Sequence, residues 1–355
     1  MSRRFKVGVI GCGIGRSHIV EGYVPHADKY EVTALCDLDE TRLNTVADEF
    51  GVVRRTRFSD ELMADPEIDI IDICTPPALH TKLVLQALQA GKHVVCEKPL
   101  TGSLSEVDEV RRAESGSKGL LMPIFQYRYG EGVAQAKRII DSGLAGKPYA
   151  ATAETFWRRT ADYYDNPWRG RWSTELGGVL MTHAIHLHDM LTYLLGPIER
   201  VFARTDTRVN AIEVEDCVSA SLLMKNGALA SLTATLGAAE EISRLHLAFE
   251  HVTFESNHAA YSPGDGPWRI TPASDEAGEK IRALIADNPP IGRRFNGQME
   301  AFYAALVEGS QPPVTSEDAR RALELVTAIY HSSETHSDVI LPLSETHPKY
   351  NSWRP

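Results

Sequence analysis

The sequence predicts two domains: an α/β domain built on a doubly wound parallel sheet, then an α+β domain rich in antiparallel strands. Three observations carry this. Through the first third, short apolar runs alternate with stretches of helical period, the order that parallel strands joined by crossover helices require. From Ile198 to Glu255 the period drops to two, in runs such as ASLLM, ALASLTATL and HLAFEHVTFES, as in antiparallel strands with one buried face. The length, 355 residues, exceeds what one core usually serves. The expected division is 1–125, 126–345 and a short arm at 346–355.

The first strand, Phe5 to Ile10, runs directly into GCGIGRSH, from Gly11 to His18, which opens a helix. Glycines at 11 and 13 permit a tight turn and let bare N–H groups approach a pyrophosphate at the positive helix end. The G-x-G-x-x-G fingerprint wants its third glycine at 16, where Arg16 stands after Gly15, so the motif alone also reads as a glycine-rich turn. The next strand, Val32 to Cys36, ends in Asp37, which would accept hydrogen bonds from an adenosine ribose and repel a 2′-phosphate. NAD is therefore favoured over NADP, with Arg42 the one nearby residue that argues otherwise. Helices are expected at Leu43–Phe50 and Asp60–Ala64, and a buried strand at Ile68–Cys74. That strand stops at TPPALH, where Pro76 and Pro77 forbid a continuing ladder, and a helix from Leu79 to Ala90 follows. HVVCEKPL, from His93 to Leu100, is a buried strand ending in Glu97, Lys98 and Pro99. Ligands of open parallel sheets collect outside the carboxyl ends of the strands, which puts Lys98 at the crevice; the plainer reading is a solvated loop lysine. A helix (Leu104–Glu114), a strand (Leu120–Gln126) and a helix (Val133–Asp141) close the unit.

With 43% hydrophobic and 24% charged residues the composition is that of an ordinary globular protein. A formal charge of -11 argues against nucleic acid or an anionic membrane as partner. Cys12, Cys36, Cys74, Cys96 and Cys217 form no CxxC pair, as expected of reduced thiols in a cytosol. Met1 to Arg4 leads straight into FKVGVIG, leaving no signal-peptide core, and no long apolar run follows. A cytoplasmic protein is expected.

The second domain opens with ATAETFW, which alternates like a half-exposed strand and leads into RRTADYYDNPWRGRW. Its aromatic and arginine side chains suit a loop that stacks a sugar ring on Trp157 and Tyr164 and holds an anionic group with Arg158; they equally suit a subunit interface. ELGGVLMTHAIHLHDMLTYLLG is a helix behind a glycine pair. At about 100° per residue, His188 points away from His183 and His186, so the three cannot share one ion and no metal is expected. Thr182, His183, His186 and Asp189 share a broad face; His186 and His188 also read as core histidines bonded to backbone. A loop is expected over Asn288–Gly297, helices at Gln298–Glu308 and Ser316–Ser332, and an exposed tail after Ser344.

GCGIGRSH, Asp37, TPPALH, EKPL, QYRY from Gln126 to Tyr129 and the later GG...HAIH...D together resemble the Gfo/Idh/MocA family of sugar oxidoreductases. The resemblance implies an N-terminal Rossmann domain and a C-terminal α/β domain with a large open, mostly antiparallel sheet. The unpaired face of that sheet, read as apolar and bare, would pack against another subunit in a homodimer or homotetramer. It implies NAD binding by Gly11, Gly13, Ile14, Gly15, Asp37, Thr75, Pro76, His80, Glu97, Lys98 and Gln126, and by Trp168-Arg169, which match a family pair before the GG motif. Substrate contacts would come from Lys98, Arg128, Trp157, Arg158, Tyr164, Thr182, His183 and His186. The family helix carries an Asp followed four residues later by a His. His186 matches the latter and Thr182 stands at the Asp position, so either another acceptor orients His186 or His183 has taken part of the role. The implied reaction moves hydride between a sugar, polyol or sugar-acid carbinol and nicotinamide, with His186 as general base and Lys98 stabilising the alkoxide. An NAD-dependent glycosidase that oxidises transiently and recycles its cofactor would carry the same motifs, and a non-catalytic NAD-binding regulator is the alternative from another class.

Overall fold

The computed structural model describes residues 3–286 and 291–354, which form two compact units. The first contains six strands: β1 (Phe5–Ile10), β2 (Tyr30–Cys36), β3 (Arg54–Thr56), β4 (Ile70–Ile73), β5 (His93–Cys96) and β6 (Leu121–Pro123). They pair in the order β3-β2-β1-β4-β5-β6, all parallel. Covered on both faces, β4 has every residue buried, which is why the central strands read as continuous apolar runs. The strand order reverses between β1 and β4, and a crevice opens there at the carboxyl ends. Edge strand β3, with two exposed arginines, has no apolar signal and was not anticipated.

This unit ends at Ile124, but the chain returns to it over Phe295–Arg320, so a simple division near 125 does not describe it. The returning helix, Arg294–Glu308, buries Phe295, Met299 and Phe302 at helical spacing, and Gln298 donates to the Pro123 carbonyl at 2.8 Å. Helix thus begins four residues earlier than Gln298 and replaces the end of the expected 288–297 loop; residues 288–290 of that loop lie outside the described ones.

The second unit holds β7 (Pro148–Arg158), β8 (Ile198–Asp206), β9 (Cys217–Met224), β10 (Leu229–Thr235), β11 (Gly237–Phe249), β12 (Val252–Glu255), β13 (Arg269–Pro272) and β14 (Val339–Ile340). Their order is β13-β12-β11-β7-β10-β9-β8-β14; only β7 and β10 pair in parallel. Alternate residues form the core beneath helix Ile185–Leu195. The opposite face is only in part the apolar surface expected. Its register brings His246, Thr152, Ser231 and Ser221 into one row and Arg244, Glu154, Thr233 and Ser219 into the next, with Arg244 donating to Glu154 at 2.9 Å. These two rows are polar, whereas the rows beside them, Ala248, Ala150, Leu229 and Leu223 on one side and Ile242, Phe156, Thr235 and Cys217 on the other, carry most of the apolar side chains, so the outer face is mixed.

The tail after Ser344 is no free arm. Trp353 is 1% exposed and donates to the Leu176 carbonyl at 2.7 Å, and Tyr350 is buried as well. One indole of that size outweighs the polar residues around it. All five cysteines are unpaired, and no helix among the described residues is long and apolar enough to cross a membrane.

Candidate functional site

In the first unit the glycine-rich turn sits at the carboxyl end of β1. Gly11 has φ +98°, and a Cβ there would lie 2.5 Å from the Cys74 carbonyl oxygen; only glycine fits. At Gly13 a Cβ would meet nothing within 4 Å, so the backbone is open to an approaching group. Gly15, the displaced third glycine, packs the helix on the strand: a Cβ would come within 2.9 Å of Val9 Cγ1. Arg16, at the position the fingerprint gives to glycine, turns outward and pairs with Glu49 at 2.5 Å. Ile14 is partly exposed beside them.

Asp37 is buried and accepts hydrogen bonds from Cys12 N at 2.7 Å, Asp39 N at 2.9 Å and both arms of Arg42 at 2.9 Å. Burial alone would raise its pKa; the Arg42 guanidinium and the two N–H groups outweigh this and hold the carboxyl below its ordinary value. Arg42 therefore covers part of the carboxylate that was expected to face a ribose.

At the end of β4, Thr75 and Pro76 are half-buried, and Thr75 Oγ1 has no hydrogen-bond partner among the described residues. His80 is fully buried, with its ring nitrogens 2.8 Å from the Thr75 carbonyl and 2.7 Å from that of Pro99. It ties the TPP turn to the EKP turn and presents no surface to a cofactor, which corrects its expected role; burial lowers its pKa. Glu97 is buried, accepting Lys98 N at 3.0 Å, and Lys98 is half-buried just past β5. The bare Gly13 backbone, the ionised Asp37 and the orphaned Thr75 hydroxyl fit a dinucleotide. A cluster not foreseen lies behind them: His18, Asp72 and Cys74, all buried. His18 lies 54 residues from Asp72 in the chain, so no local spacing marks the cluster.

The second unit presents the glycine pair. A Cβ on Gly178 would lie 1.7 Å from the Glu215 carbonyl oxygen. The Glu215 carboxyl, also fully buried, accepts from Gly178 N at 3.0 Å, Leu180 N at 3.0 Å and Tyr330 OH at 2.8 Å, satisfying the start of the helix. Burial pushes its pKa up to about 7 against those bonds. The first turn, Leu180–Ala184, is π-helical.

Thr182 Oγ1 donates to the Gly178 carbonyl at 2.7 Å and lies 2.6 Å from His183 Nδ1. Arginine can only donate, so the 3.2 Å contact from Arg159 Nε makes His183 Nε2 an acceptor and assigns the ring proton to Nδ1. Tyr163 OH is 3.3 Å from the same nitrogen. Arg159, not Arg158, is thus the arginine brought to the histidines. It also bonds Glu241 at 2.7 Å and Tyr261 at 3.1 Å, while Arg158 is exposed at the strand end. Alternation along β7 decides which of the two turns inward.

Trp157 is buried, donating to Ser243 at 3.1 Å with its ring edge against His183, so it backs the site and offers no open stacking face. His186 is buried and stacks on Tyr127 at 4.6 Å. Arg128 grips Asp189 with two bonds of 2.7 and 2.5 Å in the interior; an arginine so placed holds the fold, contrary to its expected contact with substrate. Gln126 is buried too, and its Oε1 has no partner among the described residues. His188 is a core residue, its pKa lowered to about 3 by burial. In the loop, Arg169 stacks on Trp168 and Tyr163, bonds the Tyr163 hydroxyl and pairs with Glu175 at 3.1 Å. Tyr163, whose pKa burial pushes up to about 12, joins Arg159, Arg169 and His183, with Tyr164 edge-on to it.

Residues 5–125 match the family model described as oxidoreductase family, NAD-binding Rossmann fold, and residues 133–255 match the GFO/IDH/MocA C-terminal domain. The chain is 25% identical to the myo-inositol 2-dehydrogenase of Thermotoga maritima, over 95% of this chain and 98% of that one. It is 28% identical to D-xylose 1-dehydrogenase (NADP(+)) 2 of Haloferax volcanii, over 94% and 99%. Among solved structures, the WlbA dehydrogenase of Bordetella pertussis, in complex with NADH and UDP-GlcNAcA, aligns with a TM-score of 0.85 at 26% identity, covering 96% of this chain and 100% of that one.

Proposed function

Because the chain belongs to the Gfo/Idh/MocA oxidoreductase family, with an NAD-binding Rossmann domain, we propose that it is an NAD-dependent dehydrogenase of a neutral sugar or polyol. The observation that carries the substrate class is charge balance in the aromatic loop: Arg159 and Arg169 already hold Glu241 and Glu175. The two arginines that bond the residues around His183 are thus balanced by acids, while Arg158 and Arg171 stand exposed, and the hydroxyls and carboxylates present around His183 suit polyol hydroxyl groups.

NAD, when bound, supplies the oxidant that takes hydride from the carbinol carbon. Gly11, Gly13 and Asp37 would hold its pyrophosphate and ribose. Lys98 hydrogen-bonds the substrate oxygen and stabilises the charge that develops on it. His186 accepts the hydroxyl proton, as its match to the family histidine suggests. His183 serves otherwise: its Nε2 lone pair is engaged by Arg159, so it anchors the polar wall while Thr182 fixes its tautomer. Lys98→Ala tests this reading. Turnover on a responsive sugar or polyol should fall by about 10² or more with NAD binding nearly intact, and unchanged turnover would remove the lysine from the reaction.

A further inference from the structure

The glycine-rich turn leads into a π-helical segment, His18–Tyr23, and the His18 ring lies wholly inside the first unit. Isolated π turns are uncommon and recur at functional sites. His18 Nδ1 is 2.9 Å from Asp72 Oδ2, and Nε2 is 3.0 Å from Glu97 Oε1. With a carboxylate on each side, both nitrogens donate, and the ring is an imidazolium. Burial opposes that charge, but the field of Asp72 raises the pKa well above the ordinary histidine value. Asp72 also accepts from Tyr23 OH at 2.9 Å and from Cys74 Sγ at 3.4 Å. Glu97 turns its other oxygen to Lys98 N at 3.0 Å. A continuous path runs from Tyr23 through Asp72, His18 and Glu97 to the backbone of Lys98.

We propose that His18 is a positioning residue for Lys98: by bridging Asp72 and Glu97 it fixes the Glu97 carboxylate and the peptide from which the Lys98 side chain departs. His18, Asp72 and Cys74 have the residue types of a metal site. Their donor atoms, however, are matched to one another at hydrogen-bond distances, and burial pushes the Cys74 thiol pKa well up, away from the thiolate a metal requires. The proposal rests on the reading that Lys98 acts on the substrate oxygen. A misdirected Lys98 should cost chemistry more than cofactor binding, because small displacements of a catalytic group are expensive.

The test compares His18→Gln, Glu97→Gln, the double variant and Lys98→Ala. Glutamine carries both of its donors on one nitrogen and presents an oxygen on the other side, so it cannot bridge two carboxylates across the ring position. His18→Gln should lower kcat by about tenfold or more, while the NAD dissociation constant and KM for NAD move by less than about threefold. The double variant should be no worse than the poorer single one, since both act through one link. A role confined to folding predicts a lower Tm with kcat unchanged well below it, or losses that multiply in the double variant; either result overturns the proposal. Should His18→Gln not fold, Tyr23→Phe removes only the hydroxyl that orients Asp72. It should then lower kcat by about twofold to fivefold with KM for NAD unmoved, and an unchanged kcat overturns the proposal. Full turnover in Lys98→Ala defeats the reading of the lysine, whereas loss there with normal kcat in His18→Gln defeats the inference about His18 alone.

Discussion

Replacing Arg42 with alanine should sharpen the choice between NAD and NADP. Both arms of its guanidinium lie 2.9 Å from the Asp37 carboxylate, at the strand end where the family places an adenosine ribose. The cation thus shields the charge that would repel a 2′-phosphate and offers that phosphate a donor of its own. Two unit charges about 4 Å apart interact by about 4 kcal/mol at an effective dielectric of 20. The Arg42 side chain is 47% exposed, and solvent and salt reduce that to about 1 kcal/mol, or about fivefold in affinity. Arg42→Ala should weaken NADP binding by about fivefold to tenfold, change NAD binding by less than about twofold, and flatten the salt dependence of NADP binding. Calorimetric titration of both nucleotides at two ionic strengths measures all three. Equal losses for the two would mean that Arg42 only braces Asp37, and unchanged NADP affinity would remove it from the ribose site.

Arg159→Ala should lower kcat/KM by about tenfold to a hundredfold, because it removes charged hydrogen bonds of about 1.5 to 3 kcal/mol from the wall around His183; exposed Arg158→Ala should stay within about threefold, and steady-state kinetics separates the two. Glu215 should make stability fall as pH rises. Its folded pKa of about 7 lies above the unfolded value near 4.3, so its contribution is full below about pH 4 and is lost through about pH 7, on the order of 3 kcal/mol. Urea unfolding at about pH 5 and 8 should show that loss in the wild type and a flatter profile in Glu215→Gln; parallel profiles would contradict it.

The parallel sheet was legible because its central strands are buried on both faces and their apolar runs end at Gly11, Asp37, Thr75 and Glu97, where the chain turns toward the crevice. Edges were not: Arg54–Thr56 and Arg269–Pro272 are short and hold no apolar run, and only pairing with a neighbour makes them strands. Helix Asp275–Ile285 was missed although Ser274 caps it by accepting Ala277 N and acids fill its first turn, a signal present in the sequence. The return of Phe295–Arg320 to the first unit and the burial of Trp353 are tertiary facts without local trace. The same holds within the candidate site. Motifs pointed to Lys98, Asp37 and the histidine helix, whereas Arg159, Glu215 and the His18–Asp72–Glu97 bridge depend on contacts between residues distant in the chain. Arg128 was misjudged because a motif arginine shows its partner, here Asp189, only once the elements are packed.

Net production of reduced cofactor distinguishes a sugar or polyol dehydrogenase from a redox-neutral glycosidase and from a non-catalytic NAD-binding protein. With saturating NAD, a panel of neutral sugars, polyols, glycosides and the matching sugar acids can be screened by following NADH absorbance and product together. Steady NADH formation is expected, one equivalent for each carbinol oxidised and faster with neutral substrates than with the matching sugar acids. Glycoside cleavage without NADH accumulation, or NAD binding with no turnover across the panel, would contradict it.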